Sequence, residues 1–247
     1  MPERDEPRPF PEFTGAGVRI AVVDSGVHPD HPHIAAGQLA PGVAIASDGT
    51  IETGADATRD RLGHGTAVAA AIQEKAPGAT LIPVRVFRDA LKTSAAALVA
   101  AIRWAVAQEV DLINLSLGSP NAAHRDVFAR AADEAAWAGT LILAAREANE
   151  APCYPGALPP VLGIGLDWDW PRTGYRPDGE GFATSGYPRP IPGVPQQRNL
   201  YGISFAVAQM SGFAALATES LEVSPRSPAR LSSIREALAA EVCKTAS

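Results

Sequence analysis

Apolar positions in this chain fall into short unbroken runs, and these alternate with Ala-rich stretches that carry a helical period. The runs are VRIAVV (residues 18–23), TLIPVRVF (80–87), VDLINLSLG (110–118), TLILAA (140–145) and VLGIGL (161–166). Each is too short for a helix of ordinary length, and several are rich in Val, Ile and Leu, so they are expected to be buried strands. Between them, HGTAVAAAIQEKA begins at His64 and stops at Pro77 and Gly78, which predicts a helix. Residues 95–108 predict another, with Ser94 as its cap and Leu98, Ile102 and Val106 at four-residue spacing. Further helices are expected over 122–138, ending at Gly139, over about 204–220 and over 228–244, the last two separated by the Pro-rich SPRSPAR. Residues 46–63 are polar and rich in Gly and Asp. Residues 167–200 hold much Pro and Gly without a period, and predict an ordered long loop or short hairpins.

Strands alternating with helices imply an α/β fold, a mostly parallel sheet with helices on both faces. No internal repeat and no linker divides the chain. The expected organisation is an N-terminal arm over residues 1–14, Pro- and charge-rich and lying on the surface, followed by one domain over 15–247. Such sheets place their chemistry outside the C-terminal ends of the strands.

Composition narrows the function classes. Hydrophobic residues at 46% and charged residues at 19% are ordinary for a globular protein and exclude a disordered one. The net charge of −6 argues against nucleic acid or an anionic membrane as partner. No stretch reaches the roughly 18 apolar residues of a membrane span. The N-terminus MPERDEPRPFPEF has no apolar core after a basic start and is not a secretory signal. Two cysteines, Cys153 and Cys243, do not make a disulfide framework. These features together predict a cytoplasmic setting.

Three segments carry candidate chemistry. Asp24 follows the first strand in AVVDSGV, where a parallel sheet presents functional groups. A carboxylate there is partly buried and needs a strong partner. His64 sits in RLGHGTAVAA at a helix start, where the helix dipole is expected to oppose protonation of the imidazole. Ser204 sits in YGISFAVAQMSG at a loop-to-helix junction, where free N–H groups can stabilise a developing oxyanion. Each residue alone has a plain structural role as a turn residue or cap. Together they supply a nucleophile, a base and an orienting group, because a serine hydroxyl needs a base within reach and a third group to hold that base.

VRIAVVDSGVHPDHP, GHGTAVAAAI and GISFAVAQMSG resemble the Asp, His and Ser segments of the subtilisin-like serine protease family, in that family's order. The connecting stretches APGATLIPVRVF, IRWAVAQEVDLINLSLG and CYPGALPPVLGIGL are similar too. The resemblance runs from residue 15 to about 245. It implies a subtilisin-like three-layer fold and a serine endopeptidase in which Asp24 orients His64, His64 acts as base and then acid, and Ser204 attacks the scissile carbonyl. It also implies that Leu115, Ser116, Leu117 and Gly118 form a substrate-pairing strand with an exposed edge for an extended peptide. No cofactor is implied. A compact peptidase of this kind suggests trimming of a specific precursor peptide inside the cell.

The chain departs from the family at three places. Ile203 stands where the family has Thr before the serine, and Ala208 where it has Pro. After TLILAA the family has Ala-Ala-Gly-Asn, whose Asn donates to the oxyanion, whereas this chain reads AAREANE. Asn149 takes that role if one extra residue is counted, and Ala148 occupies the position if none is. The departures keep a second reading open, a weakly active or inactive homologue acting as a peptide-binding module. Other signals are weaker. HPDHPH crowds His28, His31 and His33 but has no familiar metal-ligand spacing, so no metal is expected there. Asp48, Asp56 and Asp60 make at most a weak calcium loop. In GAGVRI the glycines precede the strand, unlike a dinucleotide site. Cys153 is expected to be a buried, inert thiol.

Overall fold

The computed structural model describes residues 8–54, 56–148, 150–221 and 225–245. Its centre is a nine-stranded sheet in the order β10-β11-β9-β6-β5-β1-β4-β2-β3. The inner strands are β1 (Arg19–Asp24), β4 (Thr80–Arg85), β5 (Leu112–Leu115), β6 (Leu141–Ala145) and β9 (Leu162–Leu166), all parallel. β2 (Val43–Ile45) joins β4 in parallel, and β11 (Gly181–Thr184) joins β9. Only the outermost strands, β3 (Ile51–Glu52) and β10 (Arg176–Asp178), run antiparallel to their neighbours.

The five expected strands are all present; β1 has the length of its run shifted by one residue, and the other four are somewhat shorter than theirs. Two faces of β1 explain the three layers. Ile20 and Val22 point into a core that includes Val68, Ile72, Phe205 and Ile234, from α1 (His64–Lys75), α4 (Ile203–Ser220) and α5 (Pro228–Thr245). Ala21 and Val23 point into a second core with Leu98, Ile102 and Phe128, from α2 (Ala95–Ala107) and α3 (Arg125–Trp137). Strands buried on both faces read as continuous apolar runs for this reason. Ser94 caps α2 as expected, its side chain accepting from Ala97 N–H. Residues 122–124 form a separate 3₁₀ turn ahead of α3.

Residues 167–200, expected as a long loop or short hairpins, hold one hairpin, the β10–β11 pair, and a 3₁₀ turn at Gln196–Arg198, with loop between them. The described part of the arm is anchored. Phe10 is buried against the α1/α4/α5 core, and Glu219 at the end of α4 accepts the N–H groups of Thr14, Gly15 and Ala16.

The strand order turns around at β1. The chain leaves β1 toward β4 and later leaves β5, on the other side of β1, toward β6. Asp24 and Ser116 thus sit at the C-terminal ends of the two strands that border the turnaround, where open sheets form their crevice.

Candidate active site

Two glycines let β1 and α1 meet. Gly26 adopts φ +98°, and a Cβ there would lie 2.2 Å from the Thr58 carbonyl oxygen. A Cβ on Gly65 would lie 2.2 Å from the Gly26 carbonyl oxygen. Only hydrogen side chains allow that approach. It brings His64, the first residue of α1, onto Asp24: His64 Nδ1–H donates to Asp24 Oδ1 at 2.7 Å. Asp24 is fully buried, its Oδ1 also accepts the Ser25 N–H, and its Oδ2 has no hydrogen-bond partner among the described residues.

Around this pair lies a support built on Asp60. Its Oδ1 accepts from Ser25 Oγ and from the N–H groups of Leu62 and Gly63. Its Oδ2 accepts from Thr66 N–H and Thr66 Oγ1. Ser25 Oγ in turn accepts the Gly65 N–H at 2.8 Å. One carboxylate therefore ties the residue after Asp24 to the residues flanking His64. This role replaces the calcium reading of the 46–61 stretch. Asp48 accepts its own turn's Thr50 N–H, and Asp56 pairs with Arg59. Among the described residues no group of three His, Cys, Asp or Glu side chains forms a metal set.

Electrostatically, burial of the His64 ring lowers its pKa. The hydrogen bond that the ring donates to Asp24, the Asp24 charge and that of Asp60 outweigh that, so the net shift is upward from 6.5. The dipole effect expected from the sequence is not the deciding one, because two carboxylates lie close to the ring.

Ser204 lies one residue inside α4, whose cap is Gly202, so it is not an N-cap. Its Oγ donates to the Ser116 carbonyl at 3.0 Å, and Ser116 Oγ donates to the Ser204 carbonyl at 3.3 Å. Ser116 Oγ also accepts from Asn114 Nδ2, and Asn114 Oδ1 accepts from Ser211 Oγ. A buried polar chain thus joins β5 to α4. The His64 ring packs on Phe205, the residue after Ser204, with centroids 5.6 Å apart. Asp24, His64 and the start of α4 share one crevice, while the Ser204 hydroxyl is turned toward Ser116. The Ser204 backbone N–H is in the first turn of α4, where a helix supplies no acceptor.

Of the expected substrate-pairing residues, Leu115 is misplaced as an edge. It is buried inside the sheet, paired with Val23 of β1 and Ala144 of β6, so its backbone edges are taken. Ser116 is also buried, and its carbonyl is occupied by Ser204. Leu117 and Gly118 are part-exposed and line a cleft of about 360 Å³ with Phe87, Leu91 and Leu98. Beyond them, Ser119 pairs with Tyr154. Asn149, the expected oxyanion donor, lies outside the described residues. Ala148, its alternative, ends the short strand β7 (Glu147–Ala148), which pairs with β8 (Ala151–Pro152). Cys153 is buried and free, and burial pushes its thiol pKa up, which disfavours thiolate chemistry.

Comparison with known proteins adds to this geometry. Residues 15–165 match the model of the Subtilase family. The subtilisin-like protease SBT6.1 of Arabidopsis thaliana is 30% identical over 168 residues, covering 62% of this chain and 15% of that protein. Subtilisin E of Bacillus subtilis (strain 168) is 27% identical over 169 residues, covering 62% of this chain and 42% of the relative. The matched region is thus less than half of either relative's length. Among solved structures, Sphericase superposes with a TM-score of 0.70 at 23% identity, covering 91% of this chain and 82% of that one.

Proposed function

The chain belongs to the subtilase family, and on that premise we propose that it is a serine endopeptidase acting through Asp24, His64 and Ser204. The observation that carries the proposal is the 2.7 Å contact between buried Asp24 and His64 Nδ1, at a ring that packs on the residue after Ser204. The Nδ1–H bond to Asp24 leaves Nε2 as the acceptor, the tautomer a general base needs. The mechanism runs in two halves. Ser204 Oγ turns from Ser116, gives its proton to His64 Nε2 and bonds to the scissile carbonyl carbon. The C–N bond then breaks as His64 returns that proton to the leaving amine. A water, deprotonated by the same nitrogen, attacks the acyl-serine and restores Ser204. Asp24 stays ionised and stabilises the imidazolium throughout. Among the described residues, the first-turn N–H of Ser204 is free of a helical acceptor and is the donor we assign to the oxyanion.

The substrate is an extended peptide whose acyl half runs past Leu117 and Gly118, reading backbone through main-chain bonds. The further proposal is that the chain trims a specific precursor peptide in the cytoplasm. The support for the compartment is two cysteines in the whole sequence, with Cys153 free, which suits a reducing setting.

A second reading, a peptide-binding homologue without turnover, is favoured by the Ser204 hydroxyl donating to Ser116 instead of to His64. Uncomplexed catalytic sites often have such loose contacts, which tighten only with substrate. A fluorophosphonate probe separates the two readings, because it labels only an activated serine. Intact mass should rise by one adduct in the wild type and stay unchanged in Ser204→Ala. An unlabelled wild type would leave the binding module as the reading.

A further inference from the structure

A second cavity, about 460 Å³, opens beside the start of α1, next to His64 in the chain, a size ordinary for a ligand cleft at ~300–1,000 Å³. Gly63, the residue before His64, lines it, and so do Asn199 and Leu200, just upstream of Ser204. It shares no residue with the cleft that holds Leu117 and Gly118. In the proposed reaction His64 must stand beside the leaving nitrogen to protonate it. With the acyl half in the Leu117 cleft, the first residues past the scissile bond run over this cavity.

Its polar lining is one-sided. Arg61 and Arg189 supply two guanidinium groups, and His28, His31 and His33 supply three imidazoles. The His28 Nδ1 accepts the Asp30 N–H, and the His31 Nδ1 accepts the His33 N–H. An imidazole that accepts at Nδ1 carries its proton on Nε2 and offers that N–H as a donor. The one acid in the wall among the described residues, Asp60, has both oxygens occupied by the Ser25, Leu62, Gly63 and Thr66 bonds. Glu74, whose charge acts on His33, is held by Lys75 and Arg172, and Asp30 of the histidine loop is exposed and is not part of the wall. The remaining wall includes the apolar side chains of Ala67, Ala70, Ile191 and Leu200, which suit methylene groups.

We propose that this cavity is a specificity pocket for a carboxylate on the leaving-group half of the substrate. The proposal rests on the peptidase reading above. The carboxylate has two sources, an acidic side chain within the first three residues after the cleaved bond or the substrate's own C-terminus. Guanidinium and imidazole N–H groups bind either by charge-assisted hydrogen bonds.

The test uses fluorogenic peptides with a mixed acyl half, so that acyl preference does not decide the result. One set places Glu, Gln or Lys at each of the first three leaving-group positions. A second set ends two or three residues past the scissile bond as a free acid or an amide. Fluorophosphonate labelling of the same wild-type sample is measured alongside. The expected result is a kcat/KM at least tenfold higher for Glu than for Lys, or for acid than for amide; tenfold corresponds to about 1.4 kcal/mol. The first outcome assigns the carboxylate to a side chain and the second to the terminus. Arg61 is exposed and makes no hydrogen bond in the wall, so Arg61→Glu should fold. That variant should lower the ratio about tenfold, and Arg61→Gln should lower it less. A wild type that labels and cleaves, but treats Glu, Gln and Lys alike and acid and amide alike, overturns the pocket and leaves the peptidase. A wild type that neither labels nor cleaves overturns both.

Discussion

Ser204 and His64 make different demands on their surroundings, and the predictions at the residue scale follow from that. Ser204→Ala should remove activity almost completely, on the order of 10⁶-fold in kcat, the scale seen when a subtilisin loses its serine. It should cost little stability, about 0.5–1.5 kcal/mol for the lost bond to the Ser116 carbonyl. Peptide hydrolysis by the purified variant at the wild-type rate would sink the assignment. For His64 the pH dependence gives the sign. Its pKa is raised, so the ring holds its proton to a higher pH and the free base is lost sooner on acidification. The acid limb of kcat/KM should therefore have a midpoint above 6.5 and a single-proton slope. Asp60→Asn removes one of the charges that raise this pKa, so the midpoint should move down. Loss of turnover alone would indicate only a disturbed loop. A midpoint that stays fixed in an active variant would show that Asp60 does not tune the ring.

At the scale of elements, the active crevice depends on how α4 is fixed to β5. Asn114 sits in the middle of a buried strand and bonds to Ser116 on one side and Ser211 of α4 on the other. Asn114→Ala leaves a cavity and removes a partner from both serines. We expect about 2–4 kcal/mol of destabilisation in a denaturant titration. Ser116 is also the residue that holds Ser204, so kcat should fall more than KM rises. A variant that loses stability but keeps its full kcat would show that the network serves packing only. The same strand shows what could be read from sequence. Its apolar run predicts it, and a polar Asn in such a run signals a partner, yet nothing local says that Ser211, 97 residues away, is that partner. The inner strands are legible because burial on both faces makes them long and apolar. β2 and β3 escape because two or three residues carry no period. Asp24 and His64 are legible from their motifs. Asp60 looks like one acid in a polar loop, because its role comes from the fold that brings Ser25 and Thr66 to it. Leu115 is misread as an edge because a motif does not show how far β1 and β6 extend beside it.

For the whole molecule, two apolar cores hold the helices to the sheet, polar contacts at helix ends fasten the arm and a loop, and the one at the end of α1 has a measurable consequence. Glu74 and Lys75 end α1 as an ion pair, and Arg172 reaches Glu74 from the loop between β9 and β10. Lys75 is nearly buried, its ammonium 5.9 Å from the centre of the Phe213 ring in α4. Burial lowers its pKa most strongly, the Glu74 charge opposes this only in part, and the pKa comes down to about 8. In the unfolded chain a lysine titrates near ~10.4. Between these values the unfolded state holds more protons at this site than the folded state, so Lys75 makes stability rise with pH. Tyr175 and Cys153 act in the opposite sense at high pH, because burial raises their pKa values. Comparing the wild type with Lys75→Met cancels those contributions, since both proteins carry them. The variant has no ammonium to bury and lacks the rising term. Its stability relative to the wild type should therefore fall by about 2 kcal/mol between pH ~7.5 and ~9.5, at ~1.36 kcal/mol per pKa unit. Urea titrations of both proteins across that range measure the difference directly. A difference that stays constant with pH would mean that Lys75 keeps an ordinary pKa and that its burial is relieved in solution.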